Sequence, residues 1–290
     1  MTELSFGVSV PTSAAPGDDP VGMAREAERL GYDFVSAADH PCGGSPSYET
    51  TIMLTWIAAR TSRIKVASRV LGVPFRRPAM VAKLAASLDL LSGQRFILGL
   101  GAGYSDQEIA ALGASGLSPA GKIDGLAEAI QVIRGAWTQS SYTQDGRHYS
   151  VRDLGMEPKP TSPIPVWLGT FGPRALAVTG RLADGWIPSL GYMPTEEFPA
   201  MRHRIDAAAE AAGRRPDEIR SILNLSIHID PYAQPQLDAV TGSATQVVSQ
   251  LRDLLGLGFT GFNFILSGPD PIAGMQRIAE DVLPLLRSTG

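Results

Sequence analysis

Residues 68–104 read SRVLGVPFRRPAMVAKLAASLDLLSGQRFILGLGAGY, and their pattern decides the fold. Val81, Leu84, Leu88 and Leu91 recur at helical spacing, so one face of this segment is apolar and must lie against something. Pro78 suits the first turn of that helix, because its missing N–H has no partner there in any case. Gly93 follows Leu91-Ser92 and is free to adopt a left-handed C-cap. Arg95 to Leu100 then runs apolar without alternation, as parallel strands covered on both faces do. Gly99, Gly101 and Gly103 strip side chains from the point where the chain leaves the sheet. Bare backbone there makes room.

Outward from this unit the same strand–helix alternation continues. Leu4–Val10 reads as a strand, Asp18–Leu30 as a helix ended by Gly31, Asp33–Ala38 as a strand and Tyr48–Arg60 as a helix. Ile64–Leu71, the Pro78 helix and Phe96–Leu100 follow. A polar segment with Gly113 and Gly116 leads to a helix from Pro119 to Trp137, with Ile123, Leu126, Ile130 and Ile133 on one face. Ser141–Val151 departs from the pattern, since Asp145-Gly146 between β-type residues predicts a hairpin. Then come strands at Pro165–Leu168, Asp184–Pro188, Arg220–Ile229 and Gly261–Leu266. Helices at Pro173–Leu182, Thr195–Ala212, Ser243–Leu255 and Pro271–Leu286 separate and close them. Eight strand–helix units in 290 residues predict an α/β fold, a (β/α)8 TIM barrel with a β-hairpin inserted after the fourth unit. A doubly wound open sheet is the structural alternative. No linker-like tract divides the chain, so residues 1–290 are expected to form one domain.

The composition is that of an ordinary globular protein, and a formal charge of −4 argues against nucleic acid as a partner. One cysteine, Cys42, excludes an intramolecular disulfide and a cysteine-cluster metal site. No apolar run reaches the length of a membrane span. MTELSFGVSV has no basic region ahead of an apolar core, so it does not read as a secretory signal. A cytoplasmic protein with no metal and no membrane partner is expected.

Active sites of such barrels sit at the carboxyl ends of the strands. Asp39, His40, Pro41 and Cys42 fall after strand two; Arg69, Val70 and Gly72, then Arg76 and Arg77, after strand three. Ala102, Gly103, Tyr104 and Glu108 follow strand four. Asp39-His40 sets a carboxylate beside the side chain that titrates near neutrality, fit for proton transfer or for a structural pair. Glu108 near a helix start serves the helix dipole if it does nothing else. Gly169, Thr170, Gly172, Pro173 and Arg174 make an anion site or a plain turn: glycines admit a ligand to backbone N–H groups, a helix begins at Pro173, and Arg174 can clamp. Gly99-Leu100-Gly101-Ala102-Gly103 lacks the G-x-G-x-x-G spacing, so a nicotinamide site is not expected.

At these residues the chain resembles the bacterial luciferase-like family of flavin- and deazaflavin-dependent oxidoreductases. The similarity lies in GYDFVSAADHP (31–41), residues 69–104, Lys122 to Tyr149, MEPKPTSPIPVWLG (156–169), GPRAL (172–176) and ADGW (183–186). The pattern is most similar to the branch using coenzyme F420, with FMN the alternative cofactor. The resemblance implies a ring lying across the barrel mouth, backed by a non-prolyl cis peptide at Arg69-Val70. Asp39, Gly72, Ala102 and Gly103 would contact the ring, and Gly169, Thr170, Gly172, Pro173 and Arg174 the phosphate. His40 would protonate or steady the substrate, and Arg76 and Arg77 would meet the acidic tail. The glycines of the opening stretch then become space for a flat cofactor. Two departures stand out: Tyr104 follows Gly-x-Gly where the sugar-phosphate dehydrogenases of this branch carry an acid, and Cys42-Gly43-Gly44 replaces their tryptophan. The implied activity is hydride transfer to a small organic molecule, with an FMN-dependent monooxygenase or a cofactor-binding barrel without turnover as alternatives. A homodimer is expected. Substrate choice is expected in loops 12–17, 42–47, 189–194 and 230–242.

Overall fold

The computed structural model describes residues 3–234, 236–268 and 270–288. Pro235 of the 230–242 loop and the first two residues of the amino-terminal stretch lie outside them. Eight strands, β1 (Ser5–Ser9), β2 (Phe34–Ala37), β3 (Lys65–Ser68), β4 (Phe96–Gly101), β5 (Val166–Leu168), β6 (Gly185–Trp186), β7 (Arg220–Ile229) and β8 (Gly261–Leu266), pair in parallel. Strand β8 pairs with β1, placing Phe262 opposite Phe6. The ring closes where β6 meets β7, with Gly185 opposite Arg220 and Trp186 opposite Ser221. A closed parallel ring leaves no sheet edge exposed. The chain is a (β/α)8 barrel.

Helices α1 (Pro20–Arg29), α2 (Thr50–Arg60), α3 (Pro78–Ser92), α4 (Pro119–Thr138), α5 (Pro173–Leu182), α6 (Phe198–Ala211), α7 (Ala244–Gly256) and α8 (Pro271–Arg277) surround it. Local chemistry sets their ends. Asp19 accepts the Gly22 N–H at 2.7 Å, Ser118 accepts the Gly121 N–H at 3.1 Å, and Ser243 with Gln246 forms a capping box. Proline opens α1, α3, α4 and α5, and Gly93 closes α3 at φ +74°.

Two cores result. Between strands and helices lies a continuous apolar layer that includes Phe6, Leu54, Ile57, Leu98, Ile130, Trp186 and Phe264. Inside the ring, Phe34, Ala67, Ile97, Trp167, Ile187 and Ile222 pack together, so the lumen is filled rather than a pore. A polar chain crosses the ring as well. Ser36 donates to Asn263 at 2.8 Å, Asn263 to Asn224 at 2.9 Å, and Asn224 to the Ile187 carbonyl at 3.3 Å. Each buried amide thereby keeps a partner, which matters where water is excluded.

Several details differ from the sequence reading. Strand three is broken: the Arg69-Val70 peptide is cis, as the resemblance implied, and pairing with β4 resumes at Leu71–Gly72. Residues 106–111, for which the sequence offers only Glu108 near a helix start, form a short helix capped by Ser105, which accepts the Glu108 N–H. Ala239–Gly242 adds a strand alongside β7. The last helix continues past α8 through a π turn at Ile278–Val282 into Leu283–Arg287. An antiparallel pair, Tyr142–Gln144 with Val151–Leu154, lies outside the barrel sheet. It is anchored to α4 by Glu128, whose carboxylate accepts the N–H groups of Arg147, His148 and Tyr149. Among the described residues no helix is long and apolar enough to cross a membrane.

Candidate active site

A cavity of about 540 Å³ opens at the carboxyl ends of β2 to β7. A second, of about 580 Å³, opens at the opposite end among Glu28, Asp33, Arg63 and Asp184. Three acids there are already engaged: Asp33 with Arg287, Asp184 with Arg134 and Arg214, and Glu28 with the N–H groups of residues 62–64. Barrel chemistry belongs to the carboxyl end, and the upper cavity is the candidate site.

Its floor is set by the opening stretch of sequence. A Cβ on Gly99 would stand 1.9 Å from the Ser68 carbonyl oxygen, so this glycine lets β3 approach β4. A Cβ on Gly101 would stand 2.7 Å from Val70 Cγ2, and one on Gly169 3.4 Å from the same atom. Gly99 and Gly101 therefore do not leave the space for a flat cofactor that the sequence suggested. Gly99 accommodates a neighbouring strand, and Gly101 with Gly169 accommodates Val70, which lies over them at the base of the cavity. Gly103, at φ +90°, packs near Pro74 and Ile109.

Asp39 and His40 leave the end of β2 in opposite ways. The Asp39 side chain is fully buried and accepts two hydrogen bonds from Arg76, at 2.7 and 2.9 Å, and one from the Gly72 N–H at 2.9 Å. Arg76 also donates to Glu49 at 2.5 Å. Burial pushes the Glu49 carboxyl up, but the Thr51 hydroxyl, the Ile52 N–H and Arg76 outweigh it and hold the carboxyl below the usual range. Arg76, proposed from the resemblance to meet a cofactor tail, is instead locked between two acids. Arg77 is exposed.

His40 stands at the mouth, its side chain 61% exposed, with Nδ1 3.0 and 3.3 Å from the two oxygens of Glu108. A carboxylate only accepts, so the contact puts hydrogen on Nδ1 and leaves Nε2 as the atom that gives or takes a proton. Glu108 reaches this place because Ser105 caps the short helix of residues 106–111. Lys122 fixes the same loop through Asp106 at 2.7 Å and the Gly103 carbonyl at 3.1 Å.

The remaining walls are largely apolar. Phe171 stacks on Tyr192 with ring centres 5.3 Å apart, and Tyr104 meets Tyr192 edge-on at 6.5 Å. Phe75, Ile187 and Met193 add to them, and Ser189 and Asn224 supply polar groups. Of the four loops expected to set substrate choice, 189–194 reaches the cavity. Loops 12–17 and 42–47 bind each other, through Ala14 N–H to the Pro46 carbonyl and Tyr48 N–H to the Thr12 carbonyl.

Asp39, His40, Arg69, Val70, Gly72, Ala102, Gly103 and Gly169 are thus brought to one cavity. Thr170, Gly172, Pro173 and Arg174 lie beyond its rim, at the start of α5. Thr170 turns its hydroxyl inward to Thr179 at 2.7 Å, so it offers a ligand only backbone. Gly172 faces open space, and Arg174 pairs with Asp124 at 2.6 Å on the surface. The pairing of Glu108 with His40 and the place of Tyr192 in the wall were not given by the sequence.

A family model described as luciferase-like monooxygenase matches residues 4–240. The F420-dependent glucose-6-phosphate dehydrogenase of Kribbella flavida is 28% identical, over 94% of this chain and 95% of that protein. The enzyme of the same name from Gordonia bronchialis is 31% identical, over 81% and 72%. Among solved structures, an F420-dependent secondary alcohol dehydrogenase in complex with an F420-acetone adduct superposes with a TM-score of 0.87 at 17% identity, over 98% and 99%. The coenzyme F420-dependent tetrahydromethanopterin reductase of Methanopyrus kandleri gives 0.84 at 20% identity, over 97% and 99%. Barrel, broken third strand and family match agree, and this chain belongs to the luciferase-like monooxygenase family.

Proposed function

We propose that this protein is an F420-dependent oxidoreductase, in a single barrel domain, that passes a hydride between the deazaflavin and a small organic substrate. The observation that carries the reading is His40, seated on Glu108 at the mouth of an apolar-walled cavity, in a chain whose relatives named above use F420. The cavity has the size of a cofactor site, about 300–1,000 Å³. Val70 offers a flat ring a floor, with the backbone of Gly72, Ala102 and Gly103 and the strand end at Gly169 around it. The open face of Gly172 and the N–H groups that begin α5 suit a phosphate, and Arg174 can exchange Asp124 for it. Asp39 serves indirectly, by holding Gly72 and Arg76 in place.

When bound, the deazaflavin supplies or accepts the hydride. The chain's own part is placement and proton transfer. His40 Nε2 gives a proton to the substrate oxygen on reduction, or takes it on oxidation, while Glu108 fixes the ring and balances the imidazolium charge. Phe171 and Tyr192 give the substrate an aromatic wall. A fluorescence titration is expected to show binding of F420. Binding of FMN without F420, with oxygen consumed on adding reduced FMN, would replace this reading by the monooxygenase alternative.

The same reading includes a homodimer and a cytoplasmic location, which suits the free thiol of Cys42. Ile52 and Trp56 on α2 and Met80 and Leu91 on α3 are exposed, and the outward face of α2 carries no acid to oppose self-association. Light scattering is expected to give twice the chain mass, and Trp56→Glu to give the monomer; a wild-type monomer would refute the dimer.

A further inference from the structure

Arg69 follows the end of β3, and its side chain lines the candidate cavity. No Lys or other Arg does so among the described residues. Among the described residues its guanidinium makes one hydrogen bond, to the Ser9 hydroxyl at 3.1 Å, and its buried Nε has no partner. No carboxylate lies within ion-pairing distance among the described residues. Every acid of the cavity is committed elsewhere: Asp39 to Arg76, Glu108 to His40. Burial pulls the Arg69 guanidinium below its ordinary value, with only the Tyr192 phenol acting against this. Arg76, which lies behind Asp39 and does not line the cavity, has two acids. A desolvated guanidinium with an idle donor is costly unless something else supplies the negative charge.

We propose that Arg69 is the anion-recognition residue of this cavity and that the substrate is a small monocarboxylate with an apolar body. The assignment deepens the proposed oxidoreductase function and rests on it for the word substrate. Charge decides for a carboxylate over a phosphate. One guanidinium balances one negative charge, and no second cation stands in the cavity to balance a phosphate dianion. The guanidinium fork matches two carboxylate oxygens, and its neighbours favour an apolar remainder. Val70 adjoins it in sequence, Tyr192 is close enough to feel its charge, and Phe171 stacks on Tyr192. With its carboxylate on Arg69, a substrate lies in the same cavity as His40, so one end is held while the other is protonated.

The test measures binding apart from turnover, with purified protein titrated with F420 and, separately, observed by ligand NMR with benzoate, benzamide and inorganic phosphate. Benzoate is expected to bind the wild type and to weaken by about tenfold or more in Arg69→Gln. Benzamide is expected to bind both proteins alike, and phosphate is expected not to displace benzoate. Arg69→Lys, which keeps the charge without the fork, is expected to fall between them and serves if the glutamine variant does not fold. Benzoate binding that survives in Arg69→Gln overturns the proposal, as does no benzoate binding by the wild type. Displacement by phosphate overturns the carboxylate class, and loss of F420 binding with benzoate unaffected assigns Arg69 to the cofactor instead. Should the wild type bind no F420 yet hold benzoate through Arg69, the recognition role stands and the oxidoreductase reading falls.

Discussion

Replacing His40 by alanine is expected to lower kcat by about 10²–10⁴-fold, the range that a positioned general acid or base contributes, while F420 still binds. Titration and turnover on the same preparation separate the two effects. The expectation follows from placement: Nδ1 is taken by Glu108, so Nε2 is the ring nitrogen left for a substrate. Glu108→Gln keeps the shape but removes the charge that balances an imidazolium, and is expected to lower kcat with little change in the substrate KM. Because Glu108 acts through His40, the double variant should be hardly slower than His40→Ala alone. Additive losses would mean that Glu108 reaches the substrate by another route. An unchanged rate in His40→Ala would remove the histidine from the reaction.

The barrel was legible because its signal is local and repeated. Arg220–Ile229 and Gly261–Leu266 match the sequence reading to the residue, since Ile, Leu and Phe recurring between turn residues leave little freedom. Helix α5 was equally plain, from Pro173 at its start. What sequence did not carry was pairing over distance. His40 and Glu108 are 68 positions apart, and Asp39 and Arg76 are 37 apart. Each member reads alone as an ordinary rim residue, and it is the parallel pairing of β2 with β3 and of β3 with β4 that brings their loops together. The glycines failed for another reason. A missing side chain announces close approach without saying by what, and here Ser68 and Val70 fill the space. Thr170 shows the same limit: its position was right, but its rotamer is set by Thr179 on α5. The segment 106–111 shows only a helix start near Glu108, because a six-residue helix is too short to show periodicity.

The second large effect is expected in stability, at Asp39. Asp39→Ala leaves Arg76 with Glu49 alone and strips the Gly72 N–H of its acceptor, in a place from which water is excluded. Breaking a buried pair from one side costs about 3–5 kcal/mol, because the surviving charge stays desolvated. Urea unfolding should show a loss of that order. Asp39→Asn, which can still accept from Gly72, should lose less, and a loss within error for both variants would mean that water already reaches Arg76. Since Gly72 borders the cavity, F420 affinity should fall along with stability, a coupling that His40→Ala does not share. Acid provides an independent check through Glu49, the other acid on Arg76. Its carboxyl titrates lower in the folded chain than in the unfolded one. The unfolded state therefore takes up the proton first as pH falls, so this contribution is whole above the unfolded carboxylate value of about 4.3 and disappears through the lower, folded one. The urea midpoint of the wild type is expected to be flat near neutrality and to drop below about pH 4.5. Glu49→Gln should start lower at neutral pH and drop less steeply, because it has no such proton to bind. A variant curve parallel to the wild type across that range would show that Glu49 gains nothing from Arg76, and that Asp39 alone holds the guanidinium behind the third strand.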